Sequence, residues 1–397
     1  MTIRTEAGRA LGAAAALLVA TAIWLPCVSL AFRPALEGYR QRGAIAPQAR
    51  ALAQRHLALW EDEAARADEV GRMRESNAEW DFMGRTFLVL ALANLALREP
   101  ADEARYLATV DRIVGETLAL ERERGMYFFL MGYARRAPFL GVPPRSLFLD
   151  GELALVLAAR QLVARVPAYD AVLGERLDAV HRAMSASPVL CAESYPDECW
   201  TFCNAVGIAA LAMGEALEPR GRGAFIERWL ATAKARLTDA RTGLLVSSFT
   251  YDGRPIDGPE GSTIWLAAHC LALVDPAFAR DQYDRAVREL GCRVLGFGYA
   301  REWPESWRGP MDVDSGPIVP VLGASAGSSG MAVLGAAAFG DDEYLTALLA
   351  SLDFAGFPIT EDGRRRYAAS NQVGDAVLLY ALVQGPLWER ARALRVR

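Results

Sequence analysis

Six stretches of this chain, residues 80–97, 148–163, 202–217, 263–274, 318–338 and 373–384, are apolar and built of small residues on every helical face. Between them run five stretches with a single charged face, residues 101–124, 168–186, 222–239, 276–293 and 341–352. A helix that is apolar all round must be buried on all sides, whereas an amphipathic one covers a surface. Six inner helices alternating with outer ones describe an all-α fold, an (α/α)6 toroid. The irregular spacing of the inner segments excludes a short-repeat solenoid. One closed domain over residues 76–397 therefore accounts for the chain better than two average domains. The one strand signal is a small hairpin within residues 244–251, LLVSSFTY.

The N-terminus is of another kind. Residues 10–32 carry no charge, and a run of 23 residues is long enough to cross a bilayer and longer than a usual signal-peptide core. Residues 1–33 read as one N-terminal transmembrane helix that anchors the chain in the cell membrane, with signal-peptide cleavage after Ala31 as the alternative. Arginines flank both ends of the span, so charge does not set its orientation. The barrel is expected on the periplasmic, extracytoplasmic side. Residues 34–75 read as a linker followed by one charged amphipathic helix over 48–74, on which His56 would lie at the surface; His181 is expected at the surface of an outer helix.

Hydrophobic content of 52% supplies a large core, and a net charge of −5 excludes nucleic acid as a partner, since phosphate binding needs a concentrated basic face. The one basic run, Arg364-Arg365-Arg366, reads as a solvated turn. The expected partners are a small-molecule substrate and the membrane; a homo-oligomer is left open.

Chemistry concentrates where the inner helices begin. In a toroid of this kind those N-termini converge on one mouth, and they carry Asp81, Asp150 and Glu152, Asp197 and Glu198, Glu260, and Asp312 and Asp314. Each acid also has a plain structural reading, because free N–H groups and the helix dipole favour carboxylates at helix starts. The densest cluster is Tyr195-Pro-Asp-Glu-Cys-Trp-Thr-Phe-Cys-Asn204, which puts two acids, two thiols, a phenol and an indole at the head of the third inner helix. The loop from Asp312 to Pro317 lacks the ligand spacing and closing Glu of a calcium site. Cys191, Cys199 and Cys203 lack the paired spacing of structural zinc; a disulfide among them is the alternative. No metal and no cofactor is expected. His269 reads as a buried, hydrogen-bonded core histidine, and Gly323–Gly330 (GASAGSSG) as a site of close helix packing.

Over roughly residues 77–385 the chain resembles the linalool dehydratase/isomerase family. The likeness rests on Ala96-Leu97-Arg98-Glu99-Pro100, the 151–163 helix, Pro196-Asp197 through Cys203-Asn204, Asp275-Pro276-Ala277-Phe278, and the 312–316 loop, in that order. It implies a cofactor-independent (α/α)6 barrel that dehydrates or isomerises tertiary allylic terpene alcohols, using two cysteines, an aspartate, a histidine and tyrosines. Cys203 matches the second cysteine. The first falls on Ser194 without gaps and on Cys191 with a small insertion, and Cys199 is a nearby substitute. Glu152 stands where the family has histidine, and Asp81 is chemically suited to the aspartate role.

The expected function is thus a membrane-anchored lyase or isomerase acting by acid/base chemistry on a small apolar alcohol. Its acid/base candidates are Cys203, Glu152, Asp197, Glu198, Cys191, Cys199 and Asp81; Tyr195, Trp200, Trp265, Asp312 and Asp314 would contact substrate. Two alternatives remain: a glycan-processing hydrolase or lyase, with Trp265, Trp303 and Trp307 as stacking platforms, and a non-catalytic envelope scaffold of the same fold.

Overall fold

The computed structural model describes residues 2–41, 43–311 and 315–395. Its helices are α1 (Thr2–Phe32), α2 (Pro47–Glu61), α3 (Glu63–Ser76), α4 (Ala78–Arg98), α5 (Glu103–Arg124), α6 (Leu147–Val163), α7 (Pro167–Ala186), α8 (Thr201–Leu217), α9 (Gly223–Arg236), α10 (Gly261–Leu271), α11 (Pro276–Glu289), α12 (Ala326–Phe339), α13 (Asp342–Ala355), α14 (Gln372–Val383) and α15 (Pro386–Arg395). Several start where the sequence supplies a cap for an orphan N–H. Asn77 accepts from Glu79, Asp275 from Phe278, Asp341 from Tyr344 and Asn371 from Gly374.

The six apolar segments form a closed ring. Helix α4 packs on α6, α6 on α8, α8 on α10, α10 on α12, α12 on α14, and α14 returns to α4. Every residue of α6 is buried, as is α8 from Cys203 through Gly214. Small residues let these helices approach closely: a Cβ on Gly151 of α6 would stand 3.5 Å from the backbone nitrogen of Gly207 on α8. Helices α5, α7, α9, α11 and α13 cover the ring, and α15 lies across one end of it against α4, α6 and α8. The architecture is the (α/α)6 barrel that the alternation implies.

Residues 48–74 differ from the single helix expected there. Asp62 breaks them into two, α2 and α3, which pack on α14 and α4 and complete the outer layer. His56 is consequently fully buried rather than at the surface, and burial pushes its pKa down to about 3. His181 is half-buried, edge-on to Phe225.

The two ends of the barrel differ. Links from inner to outer helices, at residues 99–102, 164–166, 218–222, 272–275 and 340–341, are two to five residues long. Links from outer to inner helices, at 125–146, 187–200, 237–260, 290–325 and 356–371, run to 14–36 residues and hold all the strands among the described residues. Strands β1 (Cys199–Trp200), β2 (Ser248–Phe249) and β3 (Pro255–Asp257) form an antiparallel sheet, with Cys199 opposite Phe249 and Ser248 opposite Asp257. Antiparallel hairpins β4 (Gly291–Val294)–β5 (Phe297–Ala300) and β6 (Ile318–Val319)–β7 (Ala324–Ser325) occupy the 290–325 link, and β8 (Pro358–Glu361)–β9 (Arg364–Tyr367) occupies the 356–371 link. The hairpin expected within 244–251 is therefore only the middle strand of a sheet. The helix expected from residue 318 starts at Ala326. The Arg364-Arg365-Arg366 run is a strand in which Arg365 is buried and bonds Asp353, Tyr39 and Tyr367.

Helix α1 stands apart. Its apolar stretch Glu6–Phe32 is 27 residues long and mostly exposed, whereas α4, also apolar and 21 residues long, is buried in the ring. Only the last turns of α1 dock: Ser29 sits against Gly296 in the β4–β5 turn, and Phe32 meets Phe354 of α13 edge-on at 5.2 Å.

Candidate active site

At the end bearing the long links, the ring encloses a cavity of about 430 Å³. All six inner helices contribute to it through their first two turns, among them Trp80 and Met83 of α4, Phe148 of α6, Phe202 of α8, Thr263 of α10, Met331 of α12 and Val377 of α14. Of the glycines expected to serve close packing, Gly327 and Gly330 line the cavity; a Cβ on Gly327 would stand 3.0 Å from the Ser315 backbone, whereas one on Gly330 would meet nothing within 4 Å.

Seryl, threonyl and asparaginyl side chains are spread around the lining, whereas its ionisable groups among the described residues, Glu79, Tyr195 and Cys203, are grouped. Glu79, in the first turn of α4, receives a hydrogen bond from the Tyr195 hydroxyl, which in turn accepts the backbone N–H of Met131 at 3.0 Å. Tyr195 stacks on Tyr133 at 4.3 Å. Burial and the Glu79 carboxylate push its hydroxyl far above the ordinary phenol range, so it keeps its proton and donates it to Glu79. Cys203 lies beside this pair on the cavity wall, held as a neutral thiol chiefly by burial and next by the neighbouring carboxyls of Glu152 and Glu79, with a hydrogen bond to Ser194 opposing. Trp200 completes the wall and donates its indole N–H to Glu198.

Phe202 separates the cavity from a second, smaller void deeper on the barrel axis, lined also by Glu152, Thr86, His269, Cys270 and Tyr380. Glu152 is fully buried and accepts the Thr86 hydroxyl. Burial raises its pKa to about 8, so at neutral pH it is a protonated acid. Beneath it His269 Nε2 and the Tyr380 hydroxyl are 2.7 Å apart, while His269 Nδ1 has no partner. Burial lowers this histidine to about pKa 3, a neutral ring.

The remaining sequence candidates lie elsewhere. Asp81 points away from the cavity into ion pairs with Arg85 at 2.7 Å and Arg74 at 2.9 Å. Asp150 pairs with Arg145 and Arg176 on the outer side of α6. Asp197 is an exposed turn residue at φ 55° that accepts the Tyr251 N–H at 3.0 Å. Cys191 accepts the indole N–H of Trp229 at 3.3 Å beneath α9, and Cys199 is buried in β1; neither lines the cavity. The three cysteines are free thiols, not a disulfide pair and a remainder. Trp265 is buried against Tyr283 and Tyr344 with its N–H on Ser328, outside the cavity, and Trp303 and Trp307 stack on each other away from it. Asp312 and Asp314 fall outside the described residues.

Two acids escaped the sequence reading. Glu79 is two residues from Asp81, which turns it about 200° around the helix, onto the opposite face. The signal was present: Asp81 has Arg85 four residues on, the spacing of a helical ion pair, and Glu79 has no such cation. Glu302 is wholly buried in the 290–325 link. It accepts from the Ser262 N–H at 3.0 Å and hydroxyl at 2.5 Å, from Ser315 at 3.1 Å and from the Ser325 hydroxyl, tying the starts of α10 and α12 together at the rim.

The barrel has known structural counterparts. Unsaturated glucuronyl hydrolase from Bacillus sp. GL1 superposes with a TM-score of 0.51 at 14% identity, covering 77% of this chain and 86% of its own. A UGL variant with dGlcA-Glc-Rha-Glc superposes with a TM-score of 0.50 at 14% identity over the same shares. Likeness at this identity establishes the helical toroid and nothing of the chemistry. No curated protein matches in sequence. The kinship that sequence does carry spans residues 168–373, from α7 through the start of α14 and including the wall formed by Tyr195, Trp200 and Cys203. Over that stretch, just over half of the chain, it matches the model of the linalool dehydratase/isomerase family, and the chain belongs to that family.

Proposed function

We propose that this protein is a membrane-anchored lyase or isomerase that dehydrates or rearranges a small apolar alcohol by acid/base chemistry without a cofactor. The observation that carries the reading is a largely apolar cavity whose ionisable groups, among the described lining residues, are one carboxylate–phenol pair and one thiol, with a carboxylic acid held protonated behind them. The hydroxyl of the substrate leaves as water after receiving a proton from the Cys203 wall, and Glu152 restores that proton to the sulfur in the same step, so no thiolate accumulates. The C–O bond breaks, Glu79 takes a proton from the adjacent carbon to form the alkene, and that proton passes back through Cys203 to Glu152 once product and water have left, which restores both carboxyl groups. The ring faces of Trp80 and Trp200 stand beside the developing cation, an interaction worth about 2 kcal/mol when desolvated. Tyr195 keeps the Glu79 carboxylate oriented. Family membership supports this chemistry, and helix α1, exposed and apolar over 27 residues, supports the anchor.

Turnover of a tertiary allylic alcohol such as linalool by the purified chain tests the proposal. Glu79→Gln and Cys203→Ala are each expected to lower kcat by roughly a hundredfold or more with folding intact. Full activity in both folded variants, or no activity in the parent toward any such alcohol, sinks it.

A further inference from the structure

The cavity chemistry does not account for the surface around its mouth. Among the described residues, every exposed large apolar side chain outside α1 lies on the outer-to-inner links or the last turn of α13, apart from Leu394. The short links at the opposite end expose none and carry charge and turn residues such as Glu99, Asp102, Arg165 and Glu218. The apolar residues of the mouth end sit at the tips of its turns: Val142 is 92% exposed, Phe357 64%, and Val321 wholly so. Three of them occupy backbone positions that ordinarily go to glycine or asparagine, Leu295 at φ 52°, Val321 at φ 71° and Phe357 at φ 52°. A bulky or β-branched side chain there is strained. Turn chemistry alone would not select Leu, Val and Phe at such tips, and exposure to water disfavours them.

The anchor indicates what covers them. Helix α1 leaves the barrel beside this rim, its Ser29 against Gly296, next to Leu295, and its Phe32 against Phe354, three residues from Phe357. The exposed apolar surface of α1 and that of the turn tips therefore adjoin. We propose that the mouth end of the barrel is laid against the lipid bilayer, with the tips at Val142, Leu295, Val321 and Phe357 seated at the boundary between headgroups and acyl chains. The occupant is lipid, because the surface that α1 offers to lipid runs directly into it. The short-link end faces water.

The full-length chain in phosphatidylcholine vesicles tests this without reference to activity. A fluorophore is attached singly at Val142→Cys, Val321→Cys, Phe357→Cys or, as the distal control, Arg165→Cys, in a Cys27→Ser, Cys292→Ser background that leaves only the four buried thiols. Lipids brominated in the acyl chains are expected to quench the three tip labels several-fold more than the Arg165 label, while aqueous iodide does the reverse. Equal iodide quenching at all four positions overturns the proposal. So does shielding of the tips from both quenchers with energy transfer between labelled chains, which would make the cover a second copy.

Discussion

At Glu152 a carboxyl group on the barrel axis accepts the Thr86 hydroxyl, and burial, aided by the charge of Glu79 and opposed by that hydrogen bond, lifts its pKa to about 8. Its folded pKa exceeds the unfolded one, so the native state binds the extra proton. The resulting stability is complete below about pH 4.5 and is lost as pH rises through about 8. Glu152→Gln removes this dependence. Melting curves are expected to show the parent losing roughly 4 kcal/mol relative to the variant between pH 5 and 8, an upper bound set by the size of the displacement. Activity has the same sign: kcat of the parent falls as pH rises through about 8, while the variant is slow at every pH. A pH-independent difference in melting temperature would contradict the assignment. Residue by residue, the site was half legible. Cys203, Tyr195 and Trp200 were readable because they stand together at one helix start. Glu79 is less legible than Asp81, because proximity to a helix start says nothing of which face an acid occupies.

At the level of elements, the ring depends on helices meeting with almost no side chain between them. A Cβ on Gly261, at the start of α10, would fall 1.9 Å from the Ser328 hydroxyl oxygen and 2.5 Å from the Arg301 carbonyl. Gly261→Ala is expected to destabilise the fold by about 1–3 kcal/mol. Gly174→Ala on α7, where an added Cβ meets nothing within 4 Å, is expected to stabilise it by about 0.5–1 kcal/mol. Thermal melts that rank the two the other way would refute this account of the packing. The inner helices were legible in the sequence because burial on all sides leaves a compositional mark over a dozen or more residues. The hairpins were not. Their strands are two to four residues long, too short for alternation to show, and Cys199-Trp200 finds its partner Ser248-Phe249 some fifty residues away. Arg364-Arg365-Arg366 reads as uniform charge, yet as a strand it turns only Arg365 inward, where Asp353 is waiting. No periodicity in the residues themselves announces that partner.

On the scale of the whole molecule, the barrel is open at one end and plugged at the other. Helix α15 makes the plug. Trp388 is buried, stacked on His269 at 4.7 Å with its N–H on the His269 carbonyl at 3.3 Å, and the Leu387 N–H bonds Asn94 of α4 at 3.0 Å. Trp388→Ala is expected to cost about 3–5 kcal/mol and to lower the melting temperature, although the residue lines the deeper void and not the cavity itself. An unchanged melt would show that the plug is dispensable.

The contact between α14 and α4 also fixes when this molecule becomes a molecule. A solenoid gains a little stability with each repeat, but a hoop holds nothing until its ends join. Here the two staves that meet, 78–98 and 372–383, are the first and the last of the ring in sequence. Their meeting closes a loop of nearly three hundred residues, a cost that grows only slowly with length but is met all at once. Until the ribosome has made the last stave, five helical hairpins wait with apolar flanks uncovered. A chain cut short anywhere before residue 372 is therefore not a smaller barrel but an unfinished one, with no vessel in which its chemistry can be done.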